Sequence, residues 1–315
     1  MELESGLGGT RRTRGAIATV ALTALLAGGC GSETPAAPPS PATVAEGEGV
    51  LGEWVSSGGL QRTYALHVPP GCDGSRPCPL ILAFHGAGGS HQFAQNDGLF
   101  RAADRGGFVV AAPDGVGGDW ALRCGGCTLA DQLGIDDVHF VDTLVSHLSR
   151  HLSIDRSRIY AAGRSDGGTF TYRLACEYPL AGAGVVAGTM LNPQLCRPSR
   201  AVSVIAFHGS ADTVIPFFQG SVPVAQWADL DGCAPTPTLT PLPDPVDDGT
   251  RVTRYDYPGC REGAEVSLFA IEGGGHNWPG SPTPSSAGRQ TRDIEASEEM
   301  VDFFARHALS ATNGN

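Results

Sequence analysis

Three side chains of the sequence have the types and the order needed for nucleophilic catalysis: Ser165, Asp212 and His276. Ser165 is the central residue of a Gly-x-Ser-x-Gly motif that follows an apolar run and precedes the helix-like stretch Thr169–Cys176. A sharp turn from strand to helix leaves a serine hydroxyl exposed, and the flanking glycines permit the crowded backbone of such a turn. We therefore interpret Ser165 as a candidate nucleophile.

A carboxylate and an imidazole follow two later apolar runs. Asp212 comes after Val202–Phe207, and His276 lies in a glycine-rich loop after Val266–Ile271. In a catalytic triad the histidine takes the proton from the serine, and the carboxylate fixes the tautomer of the imidazole. The chain order Ser, Asp, His is the order of the α/β-hydrolase fold and differs from the orders of two other serine protease families.

Other carboxylates can also supply the acid. Asp114 stands in a Pro-Asp-Gly turn after a strand-like run, and Asp136 and Asp137 begin a helix-like stretch. Asp212 itself has a plainer interpretation as a helix cap or turn residue. We favour it because it follows a late strand. His276 is the histidine that lies between this acid and the closing helix.

Two backbone positions can stabilise a negative charge on a reacting substrate. An apolar run ends in His-Gly-Ala-Gly-Gly, in which Ala87 is the third residue, and Asp166 directly follows the candidate nucleophile. Backbone N–H groups at these two places would form an oxyanion hole. The sequence therefore predicts that Ala87 and Asp166 hold the substrate oxygen through their main chains.

Three large side chains are candidates for lining a substrate pocket: His85, Trp120 and Trp278. Trp278 is two residues after the candidate catalytic histidine, and an apolar acyl group would pack on an indole ring. For His85 and for His208, which both precede a glycine after a strand, we favour a packed or hydrogen-bonded histidine. A tryptophan is as readily a core residue, so both interpretations of Trp120 and Trp278 stay open.

Short apolar runs bounded by turn residues alternate with helix-like stretches. Asp136–His151 and Ile294–Ala308 carry apolar residues at helical spacing. The strand-like runs are Tyr64–Val68, Leu80–Phe84, Phe108–Ala112, Arg158–Ala161, Val202–Phe207 and Val266–Ile271, with Arg251–Tyr257 as a further one. Most are apolar throughout, as expected for strands buried on both faces. We predict an α/β fold over residues 50–310, with a mostly parallel central sheet and helices on both faces.

The first thirty residues have the three parts of an export signal. Arg11, Arg12 and Arg14 come first, an apolar run spans Ala16–Ala27, and small residues precede Cys30. We predict an export signal over residues 1–29 and a lipid on Cys30, with plain secretion as the alternative. Residues 30–49 are rich in Pro, Ala and Glu, which predicts a disordered tether. The protein is expected to be exported, in the cell envelope or released.

Eight cysteines follow Cys30, and an even number in an exported chain indicates disulfides. We predict sequential pairing: Cys72–Cys78, Cys124–Cys127, Cys176–Cys196 and Cys233–Cys260. Cys124-Gly-Gly-Cys127 is also compatible with a redox or metal motif. We favour the disulfide because no second Cys-x-x-Cys is present to complete a zinc site. No metal is therefore expected.

The composition excludes several classes of function. The chain has 21 basic and 33 acidic residues, a net charge of −12, which argues against binding to nucleic acid or to anionic lipid surfaces. All the basic residues are arginines. Without lysine, a phosphate-loop lysine, a Schiff base and a Ser-Lys dyad are all excluded. We expect no cofactor, membrane contact only through a lipid anchor, and a monomer.

Six motifs follow one another along the chain: His85-Gly-x-Gly-Gly, Pro113-Asp-Gly, Ile135-Asp-Asp-Val138, Gly163-x-Ser-x-Gly-Gly168, His208-Gly-x-x-Asp212 and Gly274-Gly-His-x-Trp-Pro-Gly280. Together they resemble the extracellular polyhydroxybutyrate depolymerase and feruloyl esterase family of the α/β-hydrolase superfamily, over about residues 50–308. The resemblance implies secreted hydrolysis of esters through an acyl-enzyme. Asp166 departs from the Asn or Ala often found after the nucleophile. The Pro-rich insertion before Arg251 is longer than expected.

The implied substrates are hydroxyalkanoate oligomers or polymers, or feruloyl and acetyl esters of plant polysaccharide. Soluble or oligomeric esters are favoured over crystalline polymer, because polymer-degrading relatives usually carry an appended binding domain. Two alternatives remain. One is an exported binding lipoprotein on an inactive hydrolase scaffold, since a fold does not imply a function. The other is a serine peptidase of the prolyl oligopeptidase type, which has the same triad order.

Overall fold

A ten-stranded sheet forms the centre of the protein in this computed structural model, which describes residues 50–283 and 287–309. The strands are β1 (Val50–Ser57), β2 (Leu60–His67), β3 (Cys78–Phe84), β4 (Val109–Pro113), β5 (Ile154–Arg164), β6 (Gly182–Val186), β7 (Ser203–Gly209), β8 (Thr238–Pro241), β9 (Arg251–Tyr257) and β10 (Val266–Glu272). The helices are α1 (Gln92–Asn96), α2 (Leu99–Gly106), α3 (Leu129–Gln132), α4 (Asp137–His151), α5 (Asp166–Glu177), α6 (Phe217–Leu230) and α7 (Ala296–Ala305). The predicted signal (1–29), the predicted lipidation site Cys30 and the predicted tether (30–49) lie outside the described residues.

The strands are ordered β1-β2-β4-β3-β5-β6-β7-β10-β9-β8. The six strands from β4 to β10 are mutually parallel, whereas the two outer strands on each side run antiparallel to their neighbours. The predicted mostly parallel sheet is thus confirmed. Because the carboxyl ends of parallel strands meet at one edge of a sheet, the segments after β3, β5, β7 and β10 lie along the same edge. We call it the carboxyl edge.

The central strands are buried on both faces, and every residue of β3 and β7 is buried. One apolar core packs the first face against α4, α5 and α6, through residues such as Leu144, Phe170 and Trp227. A second core packs the other face against α2 and α7 through Phe100 and Phe304. Full burial of such side chains contributes about 1.5–3 kcal/mol each relative to exposure. The sheet is therefore a rigid platform for the loops at its carboxyl edge.

Several elements were not predicted from the sequence, namely the strands β1, β6 and β8 and the helices α1, α2, α3 and α6. In addition, β5 is longer than the predicted run Arg158–Ala161. Strand β6 reads Gly-Ala-Gly-Val-Val, which has few of the bulky residues typical of strands. Helix α6 contains Gly220 and Pro223, and both residue types are poor helix formers. Tertiary packing of Pro223, Val224 and Trp227 overrides that preference.

The four predicted cysteine pairs each lie at disulfide-bonding distance, Cys72–Cys78, Cys124–Cys127, Cys176–Cys196 and Cys233–Cys260. The sulfur atoms of Cys124 and Cys127 lie at bonding distance from each other, as the predicted disulfide requires. The neighbouring Asp131 carboxylate accepts backbone N–H groups of Leu122 and Arg123. Within the described segments, no helix is both long enough and apolar enough to cross a membrane.

Candidate active site

Ser165 occupies the turn between β5 and α5 with φ 57° and ψ −118°. This is a sparsely populated conformation for a residue with a side chain, and such strain is common at functional sites. The flanking glycines are sterically required. A Cβ on Gly163 would lie 2.3 Å from the carbonyl oxygen of Gly167, and one on Gly167 would lie 2.1 Å from that of Phe84. The turn therefore presents the serine at the N-terminus of α5, at the carboxyl edge.

His276 and Asp212 are in direct contact. The Nδ1 atom of His276 lies 2.7 Å from Oδ2 of Asp212, whose side chain is fully buried. The other carboxylate oxygen accepts backbone N–H groups of Val214 and Ile215 at 2.8 and 2.9 Å. Both oxygens are thus held by donors, which stabilises the charge of a carboxylate removed from water. The Asp212 carboxylate is therefore fixed in place beside the imidazole of His276.

A second histidine, His208, supports the loop that carries Asp212. Its Nε2–H donates to the carbonyl oxygen of Ile215 at 2.8 Å, and Nε2 lies 3.4 Å from Oδ2 of Asp212. Burial lowers the pKa of His208, so the ring is neutral and its single proton serves this contact. A Cβ on Gly220 of α6 would lie 1.9 Å from Nδ1 of His208. The ring is therefore enclosed, in agreement with its interpretation as a packed histidine.

The loop that carries His276 is held by hydrogen bonds to backbone carbonyl groups of residues 287–289. The N–H of His276 donates to the carbonyl of Ala287 at 2.8 Å. The side-chain amide of Asn277 donates to the carbonyl oxygens of Gly288 and Arg289 at 3.1 and 2.7 Å. These contacts fix the main chain on both sides of the imidazole. A flexible-looking Gly-Gly-Gly sequence therefore forms an ordered loop.

Ser165 and His276 lie at the same edge of the sheet, after β5 and β10, with β6 and β7 between those strands. Among the described residues, the Ser165 hydroxyl makes no hydrogen bond with His276. Catalytic hydrogen bonds are often long before substrate binds and shorten in the substrate complex. The structure thus brings Asp212 and His276 together and places Ser165 at the same edge of the sheet.

The main chains of Ala87 and Asp166, the predicted oxyanion donors, lie close to Ser165. The main chain next to Ala87 is close to the serine, because a Cβ on Gly86 would lie 3.3 Å from Cβ of Ser165. In the segments that the structure describes, the N–H of Ala87 donates to no other group. The N–H of Asp166 opens α5 and has no partner within the helix. Both N–H groups are therefore free to bind an oxyanion.

The carboxylate of Asp166 bonds away from the nucleophile. Its Oδ2 accepts the backbone N–H of Trp120 at 3.1 Å. Burial, opposed by the hydrogen bond from Trp120 and assisted by the charges of Asp119, Asp131 and Asp137, raises the pKa of Asp166 to about 6. The negative charge next to the oxyanion donors is therefore present only above mildly acidic pH.

The three side chains proposed to line the substrate pocket are core residues in the structure: His85, Trp120 and Trp278 have exposed fractions of 0%, 0% and 1%. Nδ1 of His85 donates to the carbonyl of Gly86 at 2.8 Å, and Nε2 accepts the N–H of Gly115 at 2.9 Å. Trp120 donates to the carbonyl of His85 at 2.9 Å. The expectation is corrected here, because these rings are buried and do not line an open pocket.

The other carboxylates considered for the triad have different partners. Asp114 accepts the ring and backbone N–H groups of His91 at 2.9 and 2.8 Å. Asp136 caps α4 through the N–H of its third residue. Asp137 forms a buried ion pair with Arg62 at 2.8 Å. None of these contacts involves the imidazole of the candidate triad.

The parallel sheet, the strained serine turn and the Asp–His pair at one edge define an α/β-hydrolase. Residues 62–229 match the family model described as Esterase PHB depolymerase, so the chain belongs to this family of ester hydrolases.

Individual proteins that the chain resembles are also described as esterases. The chain is 29% identical to NocK of Nocardia uniformis subsp. tsuyamanensis, described as a candidate esterase, over 95% of this chain and 99% of that one. It is 27% identical to feruloyl esterase C of Emericella nidulans, over 68% and 76% of the two chains. The solved acetyl xylan esterase from Aspergillus awamori shares the fold, with a TM-score of 0.58 and 17% identity over 77% of this chain and 93% of that one.

Proposed function

We propose that the protein is an exported serine esterase in which Ser165 is the nucleophile, His276 the base and Asp212 the orienting acid. The observation that carries this proposal is the 2.7 Å contact between Asp212 and His276 at the carboxyl edge that also presents the strained serine. A buried acid, an imidazole and a serine turn after three parallel strands are the parts of a triad.

The geometry supports a defined sequence of steps. With the Nδ1–H of His276 donated to Asp212, Nε2 is the free acceptor for the proton of Ser165. The serine oxygen then attacks the ester carbonyl, and the N–H groups of Ala87 and Asp166 stabilise the oxyanion. The imidazolium returns its proton to the leaving alcohol, and an acyl-enzyme remains. Water, activated by the same imidazole, releases the acid.

The substrate is proposed to be a carboxylic ester attached to a larger molecule. The names of the family and of the two esterase relatives point to hydroxyalkanoate, feruloyl or acetyl esters. Four disulfides favour an oxidising compartment, which supports export with residues 1–29 as signal. We further propose a lipid anchor on Cys30, a tether over 30–49 and a monomeric catalytic domain over 50–310.

Initial rates of residues 31–315 and of the Ser165→Ala variant test the activity on four esters: p-nitrophenyl acetate, p-nitrophenyl butyrate, methyl ferulate and a hydroxybutyrate oligomer. We expect hydrolysis that is lost in the variant, and the ranking of the esters identifies the substrate class. Equal rates for the two proteins on all four esters would refute the proposal and favour a binding function. Cleavage of a peptide substrate alone would favour a peptidase.

A further inference from the structure

Asp97 is a buried carboxylate directly after α1, with an exposed fraction of 6%. Its Oδ2 lies 3.2 Å from a guanidinium nitrogen of Arg164. Its Oδ1 accepts the hydroxyl of Ser281 at 2.8 Å. The two oxygens thus bind side chains from two distant segments of the chain.

The main chain at the end of α1 binds the second of these segments again. The carbonyl of Asp97 accepts the hydroxyl of Ser297 at 2.9 Å, and Ser297 in turn accepts the indole N–H of Trp278 at 3.0 Å. The carbonyl of Asn96 accepts the hydroxyl of Thr283 at 2.9 Å. Residues 278–283 are therefore fixed to the end of α1 directly through Ser281 and Thr283, and indirectly through the contact of Trp278 with Ser297.

The two segments that meet at Asp97 carry the two partners of the proposed proton transfer. Arg164 is the last residue of β5 and precedes Ser165, and Trp278 follows His276 by two residues. The Asp97 carboxylate therefore links the chain next to Ser165 with the chain that follows His276.

We propose that Asp97 is a positioning residue that sets the distance between the hydroxyl of Ser165 and the imidazole of His276. This inference rests on the proposed function. Proton transfer requires the two heavy atoms to approach within about 2.6–3.2 Å. A misplacement of about 1 Å can lower a rate about 100-fold. Since the contact is not formed in the described structure, its geometry depends on how the two segments are held.

The charge of Asp97 is part of this arrangement. Burial raises the pKa of Asp97, whereas the Arg164 guanidinium and the Ser281 hydroxyl lower it. Because a buried carboxylate depends on such partners to stay ionised, removal of either partner weakens the link to the other.

The test compares Asp97→Asn and Asp97→Ala with a matched control, Asp256→Asn. Asp256 also binds one arginine and one serine, Arg254 and Ser267, both at 2.7 Å. It pairs with Ser267 near the start of β10, away from the histidine loop. Active sites are counted with a p-nitrophenyl phosphonate, and kcat is expressed per reactive site on p-nitrophenyl butyrate.

We expect kcat per site to fall about 10-fold in Asp97→Asn, which keeps an acceptor for Ser281, and about 100-fold in Asp97→Ala. KM should change less than about twofold, because the buried Asp97 offers little surface to a substrate. Asp256→Asn should keep the wild-type kcat. A merely structural role would lower the melting temperature and the number of reactive sites, and would leave kcat per site unchanged.

A double-mutant cycle provides a second readout. Arg164→Gln and Ser281→Ala each remove one partner of the same carboxylate, so their effects on kcat should be non-additive. The double variant should lose less than the product of the two single losses.

Three results would overturn the inference. One is a wild-type kcat per site in both Asp97 variants, and another is an equal loss in Asp256→Asn. The third is a double variant whose loss of kcat equals the product of the losses in the two single variants. A wild-type enzyme without activity would refute the proposed function as well, whereas an active enzyme with unaffected Asp97 variants would refute this inference alone.

Discussion

Oδ2 of Asp212 lies 2.7 Å from Nδ1 of His276, although 64 residues separate them in the sequence. The contact follows from the pairing of β7 with β10, which are parallel neighbours. Their register pairs Gly209 with Ile271, so both strands end at the same level of the sheet. Each residue then lies in the loop that follows its strand. The sheet rather than local sequence brings the acid to the base.

The first prediction concerns this contact. We expect Asp212→Asn to lower kcat on p-nitrophenyl butyrate about 10³- to 10⁴-fold with little change in KM. The amide nitrogen of asparagine would face Nδ1 and favour the tautomer that carries its proton on Nε2. That tautomer cannot accept the proton of Ser165. Steady-state kinetics at pH 8 measure the effect.

Asp114→Asn is the matched control, because this carboxylate also contacts a histidine ring, that of His91. It should keep kcat within a few-fold of the wild type. A large loss in Asp114→Asn together with an active Asp212→Asn would show that the acid has been assigned to the wrong residue.

The candidate triad could be identified from sequence because each residue lies in a short motif after an apolar run. The motif at Ser165 predicts a turn whose glycines are needed sterically. In the structure, a Cβ added to Gly163 or Gly167 would lie only 2.1–2.3 Å from a backbone oxygen. The parallel sheet followed from runs without alternation. These features are local, and local sequence encodes them.

Other features depend on tertiary packing and could not be predicted in the same way. Trp278 lies two residues after His276, but the sequence does not show that its ring is buried in the core. Asp97 belongs to none of the motifs, and its link to Arg164 and Ser281 joins three distant segments. Helix α6 was missed because it contains a proline, although packing of Pro223, Val224 and Trp227 compensates.

The second prediction concerns Gly220 in α6. Alanine in a helix interior usually stabilises by about 0.5–1 kcal/mol relative to glycine. Here the added Cβ would lie 1.9 Å from Nδ1 of the enclosed His208 ring. We expect Gly220→Ala to lower the free energy of unfolding by about 1–3 kcal/mol, as overpacking does. Urea unfolding followed by circular dichroism measures the change.

The change should reach the active site as well, because His208 supports the loop that carries Asp212. A loss of kcat should therefore accompany the loss of stability. Removing the ring in the double variant Gly220→Ala/His208→Ala should make the glycine substitution less destabilising than it is in the wild-type background. Stabilisation by Gly220→Ala alone would contradict the described packing of α6 on His208.

The third prediction concerns the pH dependence due to Asp166. Its pKa in the folded protein is about 6, whereas an unfolded aspartate has a pKa of about 3.9. Between these values the folded state binds more protons, so this group makes the free energy of unfolding fall as pH rises from about 4 to about 6. The penalty of burying the charge persists above that range. Asp166→Asn removes it and keeps an acceptor for the N–H of Trp120.

We therefore expect the stability of Asp166→Asn, relative to the wild type, to be greater at pH 8 than at pH 4.5, as measured by urea unfolding at both pH values. The activity should follow the same direction. Above about pH 6 the wild-type carboxylate is ionised beside the N–H groups that would bind the oxyanion, and like charge opposes the developing negative charge. The ratio of kcat in Asp166→Asn to that in the wild type should thus rise between pH 5.5 and pH 8. A stability difference and a kcat ratio that are both independent of pH would show that the Asp166 carboxylate does not titrate in this range.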